Sequence, residues 1–240
     1  MGGYRRSISL WVPENQERIT MSRRIVDLSH PIEQGMITYP GLPGPEITTH
    51  TSREESAGRL ADGVSFHIAT IRMVANTGTY LDAPFHYHAD GPDLAALPLE
   101  RLVNVPTVVV RAHGERAIGP EVFPSPESLA GHAVLVDTGH SRHWGGEAYF
   151  QDAPYLTADA ATMLVTAGAL LIGIDSLNID DVTDAARPAH HGLLGAGIPI
   201  MEHLTALEQL PDGVPVRLTV LPAPVRGMGT FPVRAVAIVG

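Results

Sequence analysis

Residues 76–88 read NTGTYLDAPFHYH, and this segment determines how the rest of the chain is interpreted. One aspartate, two histidines and two tyrosines stand here without any lysine, arginine or glutamate. Gly78 allows the backbone to turn, and Pro84 prevents a helix from continuing through the segment. A bent backbone can therefore direct several polar side chains to one point. The side chains concerned are Asn76, Tyr80, Asp82 and His86.

The residue types of this signature segment, residues 76–88, leave two interpretations open. In one, the Asp82 carboxylate binds a divalent ion or orients an imidazole, and His86 accepts a proton from a bound water. In the other, the segment is an Asx-type turn that contains a hydrogen-bonded core histidine. These residues alone do not decide between an active-site loop and a structural turn.

The composition limits the classes of function. With 240 residues, of which 44% are hydrophobic and 18% charged, the chain is long enough to bury one large core. A formal charge of -10 argues against nucleic acid and against anionic membranes, which both bind clustered cations. The chain has no cysteine, so histidine, aspartate and glutamate are the plausible metal ligands. This composition is consistent with a cytoplasmic protein.

The chain order predicts one domain, preceded by an extension. We expect residues 1–22 to be a disordered N-terminal extension and residues 23–240 to form the domain. VSFHIATIRMVAN (64–76) predicts a strand that leads into the signature segment, and ADGPDLAALPLERL (89–102) predicts a short helix. The most defined pattern is TADAATMLVTAGALLIGIDS (157–176), a helix between Thr157 and Gly168 followed by a buried strand of the parallel type.

The sequence does not contain three other functional motifs: a dinucleotide-binding fingerprint, a calcium-binding loop and a serine-nucleophile elbow. GLLGAGIPI (192–200) lacks the third glycine of a dinucleotide fingerprint. DSLNIDD (175–181) has Leu177 where a calcium loop requires aspartate or asparagine, so we interpret it as a loop that caps a strand end. The chain also contains no G-x-S-x-G elbow, so it offers no serine nucleophile of that kind.

The signature segment resembles a known family, the cyclase-like metal-dependent hydrolases that include bacterial kynurenine formamidase and isatin hydrolase. Their signature is H-x-G-T-H-x-D-x-P-x-H. This chain has N-T-G-T-Y-L-D-A-P-F-H, so Asn76 and Tyr80 stand where the family has histidines. The resemblance starts near Arg24 and includes DLSHPIEQGMITYPG, LLIGIDSLNID and FPVRAVAI. His190 and Glu202 have the spacing of the family's later histidine and glutamate.

The resemblance implies a single α/β domain with the swivelling β/β/α fold of the cyclase type, assembled as a homodimer or larger oligomer. It implies a hydrolase that cleaves a C–N or C–O bond of a small amide, lactam or lactone through a metal-activated water. The implied metal ligands are Asp82, His190 and Glu202, which suit Zn or Mn. His86 is then the general base, and Asn76 or Tyr80 donates a hydrogen bond to the oxyanion.

The two replaced histidines keep other functions in view. One alternative is a metal-free cyclase or lyase that uses His86, Tyr80 and Asp82 for acid–base chemistry. Another is a non-catalytic binding protein that has lost the metal site. Within the pair of adjacent histidines, His191 is the substitute if His190 is not the ligand. Most other histidines, such as His203, are expected to fill the surface or the core.

Overall fold

The computed structural model describes residues 23–240, so the extension expected at residues 1–22 lies outside the described part. The first strands are β1 (Arg24–Asp27), β2 (Glu46–Thr51), β3 (Ile68–Arg72), β4 (Tyr80–Asp82), β5 (Val105–Arg111) and β6 (Ala117–Ile118). The later strands are β7 (Ala133–Asp137), β8 (Tyr155–Leu156), β9 (Leu171–Ile174), β10 (Ile200–Glu202), β11 (Val216–Thr219), β12 (Thr230–Pro232) and β13 (Val236–Val239). The α-helices are α1 (Arg53–Ala57), α2 (Pro126–Leu129), α3 (Ala158–Ala167) and α4 (Pro188–Gly195).

A nine-stranded mixed sheet organises the domain in the order β1-β13-β11-β5-β7-β9-β10-β4-β12. The four central strands β5, β7, β9 and β10 are parallel, and the flanking strands pair antiparallel. Every residue of β7 and β9 is buried, as expected for parallel strands that are covered on both faces. Two hydrophobic clusters lie on the two faces of this sheet. The α/β prediction is confirmed.

The helix expected from 157 to 168 is present with the expected ends. The Thr157 hydroxyl accepts from the backbone N–H of Ala160, so it caps α3 as predicted. Gly168 follows with φ +76° and ends the helix in the left-handed conformation that glycine tolerates. The chain then enters β9, so the long apolar run is a helix followed by a buried strand.

The predicted helix in residues 89–102 is wrong as an α-helix. The segment consists of turns and one short 3-10 helix, Leu99–Arg101, because two prolines, Pro92 and Pro98, interrupt it. The strand predicted at 64–76 is shorter than expected, since β3 covers only Ile68–Arg72. It pairs only with β2, and almost all residues of this two-stranded sheet are exposed within residues 23–240.

The signature segment forms a strand and then a tight turn. Tyr80–Asp82 is β4, which lies between β10 and β12, and Pro84–His86 is a single 3-10 turn. In this register Asp82 lies opposite Ile200 and Thr230, and Tyr80 lies opposite Glu202. Alternation along the strand places Tyr80 and Asp82 on the same face of the sheet. The sheet itself thus brings the signature segment next to the later glutamate.

Candidate metal centre and active site

Asp82 lies at the centre of the candidate site and is fully buried. Its Oδ1 accepts a hydrogen bond of 2.7 Å from the Thr230 hydroxyl on the neighbouring strand β12. Its Oδ2 is buried and has no hydrogen-bond partner. A buried carboxylate oxygen without a hydrogen-bond donor is costly, so this atom is stabilised by a proton or a cation placed close to it.

His190 supplies the second side chain, from the first turn of α4. Its Nε2 lies 3.6 Å from Asp82 Oδ2 and 3.5 Å from Glu202 Oε1. Its Nδ1 donates to Asp180 Oδ2 at 2.7 Å. Because Nδ1 is engaged, Nε2 is the nitrogen that faces the two carboxylates.

His86 lies at the entrance of the site, at the end of the 3-10 turn. Its Nε2 is 3.9 Å from Asp82 Oδ1, and 32% of its side chain is exposed. One ligand atom each of Asp82, His86 and His190 lies within 4.8 Å of the others. One carboxylate and two imidazoles, with an orphaned oxygen among them, fit a divalent transition metal. We call these three residues the Asp82 cluster.

Glu202 borders the Asp82 cluster from β10, but both of its oxygens are already hydrogen bonded. Oε1 accepts from the Ile179 backbone N–H and Oε2 from the Tyr80 hydroxyl, both at 2.6 Å. Carboxylate oxygens keep further lone pairs, and Oε1 also faces His190 Nε2. Glu202 therefore remains a predicted ligand that borders the Asp82 cluster.

Tyr80 belongs to a buried chain of hydrogen bonds that runs from Tyr149 through His203 to Glu202. Its hydroxyl is 3.3 Å from His203 Nε2, and His203 Nδ1 is 2.8 Å from the Tyr149 hydroxyl. Since a carboxylate only accepts, the Tyr80 proton points to Glu202. His203 Nε2–H must then donate to Tyr80, and the Tyr149 hydroxyl donates to Nδ1. The expected role of Tyr80 as oxyanion donor would require its proton to leave Glu202.

Asn76, the other replaced signature position, is half-buried, and its side chain approaches the Tyr80 hydroxyl. Burial and the charge of Glu202 raise the pKa of Tyr80 far above its usual value, so the phenol keeps its proton. A protonated phenol is a poor metal ligand. Tyr80 therefore offers no ligand atom to an ion while its hydroxyl stays protonated and bonded to Glu202.

The electrostatics of the site favour a positive charge. Burial alone lowers the pKa of His190, but Glu202, Asp180 and Asp82 outweigh it and raise that pKa well above its ordinary value. Burial raises the pKa of Glu202, against the charge of His190. Two buried carboxylates that face one imidazole are stabilised by a shared proton or by a cation. Nearby, burial lowers the pKa of His203 to about 3, so this histidine stays neutral.

A cavity with a volume of about 530 Å³ lies beside the aromatic side chains that surround His203. Trp144 lines it and stacks on His30, with ring centroids 4.0 Å apart and an interplanar angle of 4°. The other side of Trp144 contacts His203 and Tyr149 edge to face. Met36 and Phe150 add apolar walls, so the cavity suits an apolar or aromatic group.

The structure brings all six predicted site residues into one region, and it adds residues that the sequence did not indicate. Asp180, Thr230 and Tyr149 form hydrogen bonds with His190, Asp82 and His203, respectively. Asp180 belongs to DSLNIDD, for which a capping role was predicted, but no local pattern connected it to a histidine. His191 is exposed and lies against His88 instead of the Asp82 cluster.

A family model and a related protein match most of this chain. A model of the family described as "Putative cyclase" matches residues 26–181. A kynurenine formamidase of Bacillus cereus is 31% identical over 211 residues, which are 88% of this chain and 95% of that protein.

Two solved structures that resemble this chain are named as hydrolases. One is described as a potential metal-dependent hydrolase with cyclase activity, with a TM-score of 0.74, 25% identity and coverage of 90% of this chain and 98% of that chain. Another is isatin hydrolase A from Labrenzia aggregata, with a TM-score of 0.75, 25% identity and coverage of 90% and 94%. Within residues 23–240, no helix has the length and apolar character required to cross a membrane.

Proposed function

This chain belongs to the cyclase family, and on that premise we propose that it is a hydrolase that uses a divalent ion, Zn or Mn, to cleave a C–N or C–O bond of a small amide, lactam or lactone. The observation that carries the proposal is the buried Asp82 Oδ2, which has no partner and lies 3.6 Å from His190 Nε2. The hydrolase names of the related proteins support the same chemistry.

The ion would be held by Asp82 and His190, with Glu202 as the predicted third ligand and His86 within reach. A divalent ion in such a site lowers the pKa of bound water and polarises a carbonyl. Both Asp82 and His190 are held by hydrogen bonds to neighbouring side chains, so little reorganisation is needed on binding.

His86 is the proposed general base, because it is the one member of the Asp82 cluster with a substantially exposed side chain. It takes a proton from the attacking water while the water oxygen bonds to the carbonyl carbon. It then gives that proton to the leaving nitrogen or oxygen as the C–N or C–O bond breaks. Asn76 is the proposed donor to the carbonyl oxygen, since the Tyr80 proton is directed to Glu202.

The test uses protein purified without chelator and two substrates of the proposed class, an aryl formamide and the lactam isatin. We expect hydrolysis of at least one substrate, loss of the activity after the metal is removed with a chelator, and recovery with Zn or Mn. Unchanged turnover after removal of all transition metal would contradict the proposal and favour a metal-free cyclase or lyase. Absence of turnover together with absence of metal would favour a binding protein.

We further propose that the chain forms a homodimer or a larger oligomer of identical chains. Support comes from the two-stranded sheet of β2 and β3, which exposes Ile47 and Ile71 side by side in register. An isolated two-stranded sheet is only marginally stable in water, so a second copy is a suitable cover for this face.

A further inference from the structure

The loop between β9 and α4 contacts two of the proposed ligands through two adjacent residues. The backbone N–H of Ile179 donates to Glu202 Oε1, and the carboxylate of Asp180 accepts from His190. This loop contains DSLNIDD, which failed as a calcium motif in the sequence. Its position shows that the acidic pattern serves the neighbouring helix and its histidine.

Asp180 caps α4 from a distance. The residue at the N-cap position is Arg187, whose side chain makes no capping bond and whose φ is +45°. Pro188 has no N–H, so the first free donors belong to the next two residues. Asp180 satisfies both, since Oδ1 accepts from Ala189 N–H at 2.6 Å and Oδ2 from His190 N–H at 3.0 Å.

The same carboxylate also holds the imidazole of His190. Asp180 is 2% exposed, and its Oδ2 lies 2.7 Å from His190 Nδ1. A carboxylate only accepts, so the proton of this bond stays on Nδ1. The ring nitrogen left for a ligand is Nε2, which faces Asp82 Oδ2 and Glu202 Oε1.

We infer that Asp180 is a positioning residue, which keeps the Nδ1 of His190 protonated and its Nε2 directed to the ion-binding side of the site. The inference rests on the proposed function, because it concerns how the chain holds an ion. The inference adds a residue outside the predicted ligand set, and it makes the loop between β9 and α4 a support for the site.

The test compares Asp180→Asn with the matched control Asp181→Asn. Both variants remove one carboxylate from the same loop, but Asp181 bonds to Thr183 and pairs with Arg116 instead of contacting His190. In Asp180→Asn, the side-chain amide can place an N–H against Nδ1. The ring must then rotate or carry its proton on Nε2, where it blocks ligation.

Calorimetric titration with Zn²⁺ should show an affinity about 10–100-fold weaker for Asp180→Asn, as for other partners of ligating histidines. The affinity of Asp181→Asn should stay within about threefold of the parent, since its carboxylate lies outside these contacts. The unfolding midpoints of the metal-free proteins measure how much stability is lost with the Asp180 cap of α4, so this loss is separated from the change in Zn²⁺ affinity. A lower midpoint with an unchanged Zn²⁺ affinity would overturn the inference and leave only a structural role.

A measurement on the parent protein covers the case in which Asp180→Asn does not fold. Nitrogen-15 spectra of the zinc-loaded protein should show His190 with a proton on Nδ1 and zinc on Nε2. Zinc on Nδ1 would overturn the inference while leaving the proposed function intact. A parent protein that binds no zinc or manganese would overturn the proposed function and the inference with it.

Discussion

At the scale of single residues, the buried carboxylate of Asp82 requires hydrogen-bond donors or a positive charge close to its oxygens. Thr230 satisfies one oxygen of Asp82, and the other oxygen faces an imidazole at 3.6 Å. The family resemblance implied Asp82, His190 and Glu202 as ligands; the register of β4 with β10 brings the two carboxylates together, and α4 adds His190. The hydrogen bond from Tyr80 to Glu202 was not predictable, because it joins side chains that are far apart in sequence.

The first prediction concerns His86, which the geometry allows as base or as ligand. If His86 is the general base, His86→Ala should lower turnover about 10²-fold or more while Zn²⁺ binding is retained. Turnover on the hydrolysed substrate and calorimetric Zn²⁺ affinity should be measured on the same preparation. The control is His88→Ala, since the imidazole of His88 bonds to the backbone of His191.

Two results would contradict this role of His86. Equal loss of Zn²⁺ affinity and turnover would make His86 a ligand. An unchanged turnover in His86→Ala together with a loss in His88→Ala would move the base to His88.

The second prediction concerns the stability of the fold at mildly acidic pH. Burial lowers the pKa of His30 to about 4, so the unfolded chain binds the proton more readily. The neutral His30 imidazole therefore makes its full contribution to the unfolding free energy above the ordinary histidine pKa of about 6.5. This contribution is lost as the pH falls towards 4. His30→Phe preserves a ring against Trp144 but does not titrate.

Urea unfolding of both proteins at pH 7 and pH 5, with chelator present, measures this effect. Between these values, the parent should lose about 1 kcal/mol more of its unfolding free energy than His30→Phe, because the half-buried ring is partly screened by solvent. Equal losses in the two proteins would show that His30 does not contribute to the pH dependence.

At the scale of secondary-structure elements, local patterns predicted what depends on neighbours in sequence. The helix from Thr157 to Gly168 and the buried strand after it were correct, since capping and apolar runs are local signals. The helix expected in residues 89–102 was wrong because prolines interrupt the backbone hydrogen bonds. The exposure of β3 was missed because it depends on what the strand packs against.

The third prediction concerns the contact between β12 and the turn that carries His86. A Cβ at Gly229 would lie 2.6 Å from the backbone N and Cα of His86, closer than van der Waals contact allows. Gly229→Ala should therefore cost about 1–3 kcal/mol of unfolding free energy and displace His86. Denaturant unfolding and turnover test both effects.

The control for this contact is Gly192→Ala, at a helical position where a Cβ meets no atom within 4 Å. This variant should be neutral or up to about 1 kcal/mol more stable, as alanine favours helix. A Gly229→Ala protein with parental stability and turnover would show that the turn has room to move.

At the scale of the whole molecule, the sheet supports the site from one end and leaves a two-stranded ribbon at the surface. The parallel strands and the two apolar cores hold β10 and β4 in register, which fixes Glu202 opposite Tyr80. The ribbon of β2 and β3 exposes Ile47 and Ile71 as a cross-strand pair. We propose that a second copy of the chain covers this surface.

The fourth prediction is that the chain sediments with at least twice the mass of one chain. Ile71→Asp places a charge on the proposed interface and should shift the protein towards the monomer. Thr70→Asp, on the opposite face of the same strand, is the control and should preserve the assembly. A parent protein that sediments as a monomer at all concentrations would contradict the proposed assembly.

The central claim is that Asp82, His190 and Glu202 form a site for a divalent ion. Elemental analysis of protein purified without chelator, and again after incubation with Zn²⁺ or Mn²⁺ and removal of excess, tests it directly. We predict about one ion per chain, because Asp82, His190 and Glu202 supply one set of ligands, whereas Asn76 and Tyr80 replace the two other signature histidines. Asp82→Asn should lose that ion, since the orphaned oxygen becomes an amide. Absence of bound transition metal from the parent protein in both preparations would contradict the account.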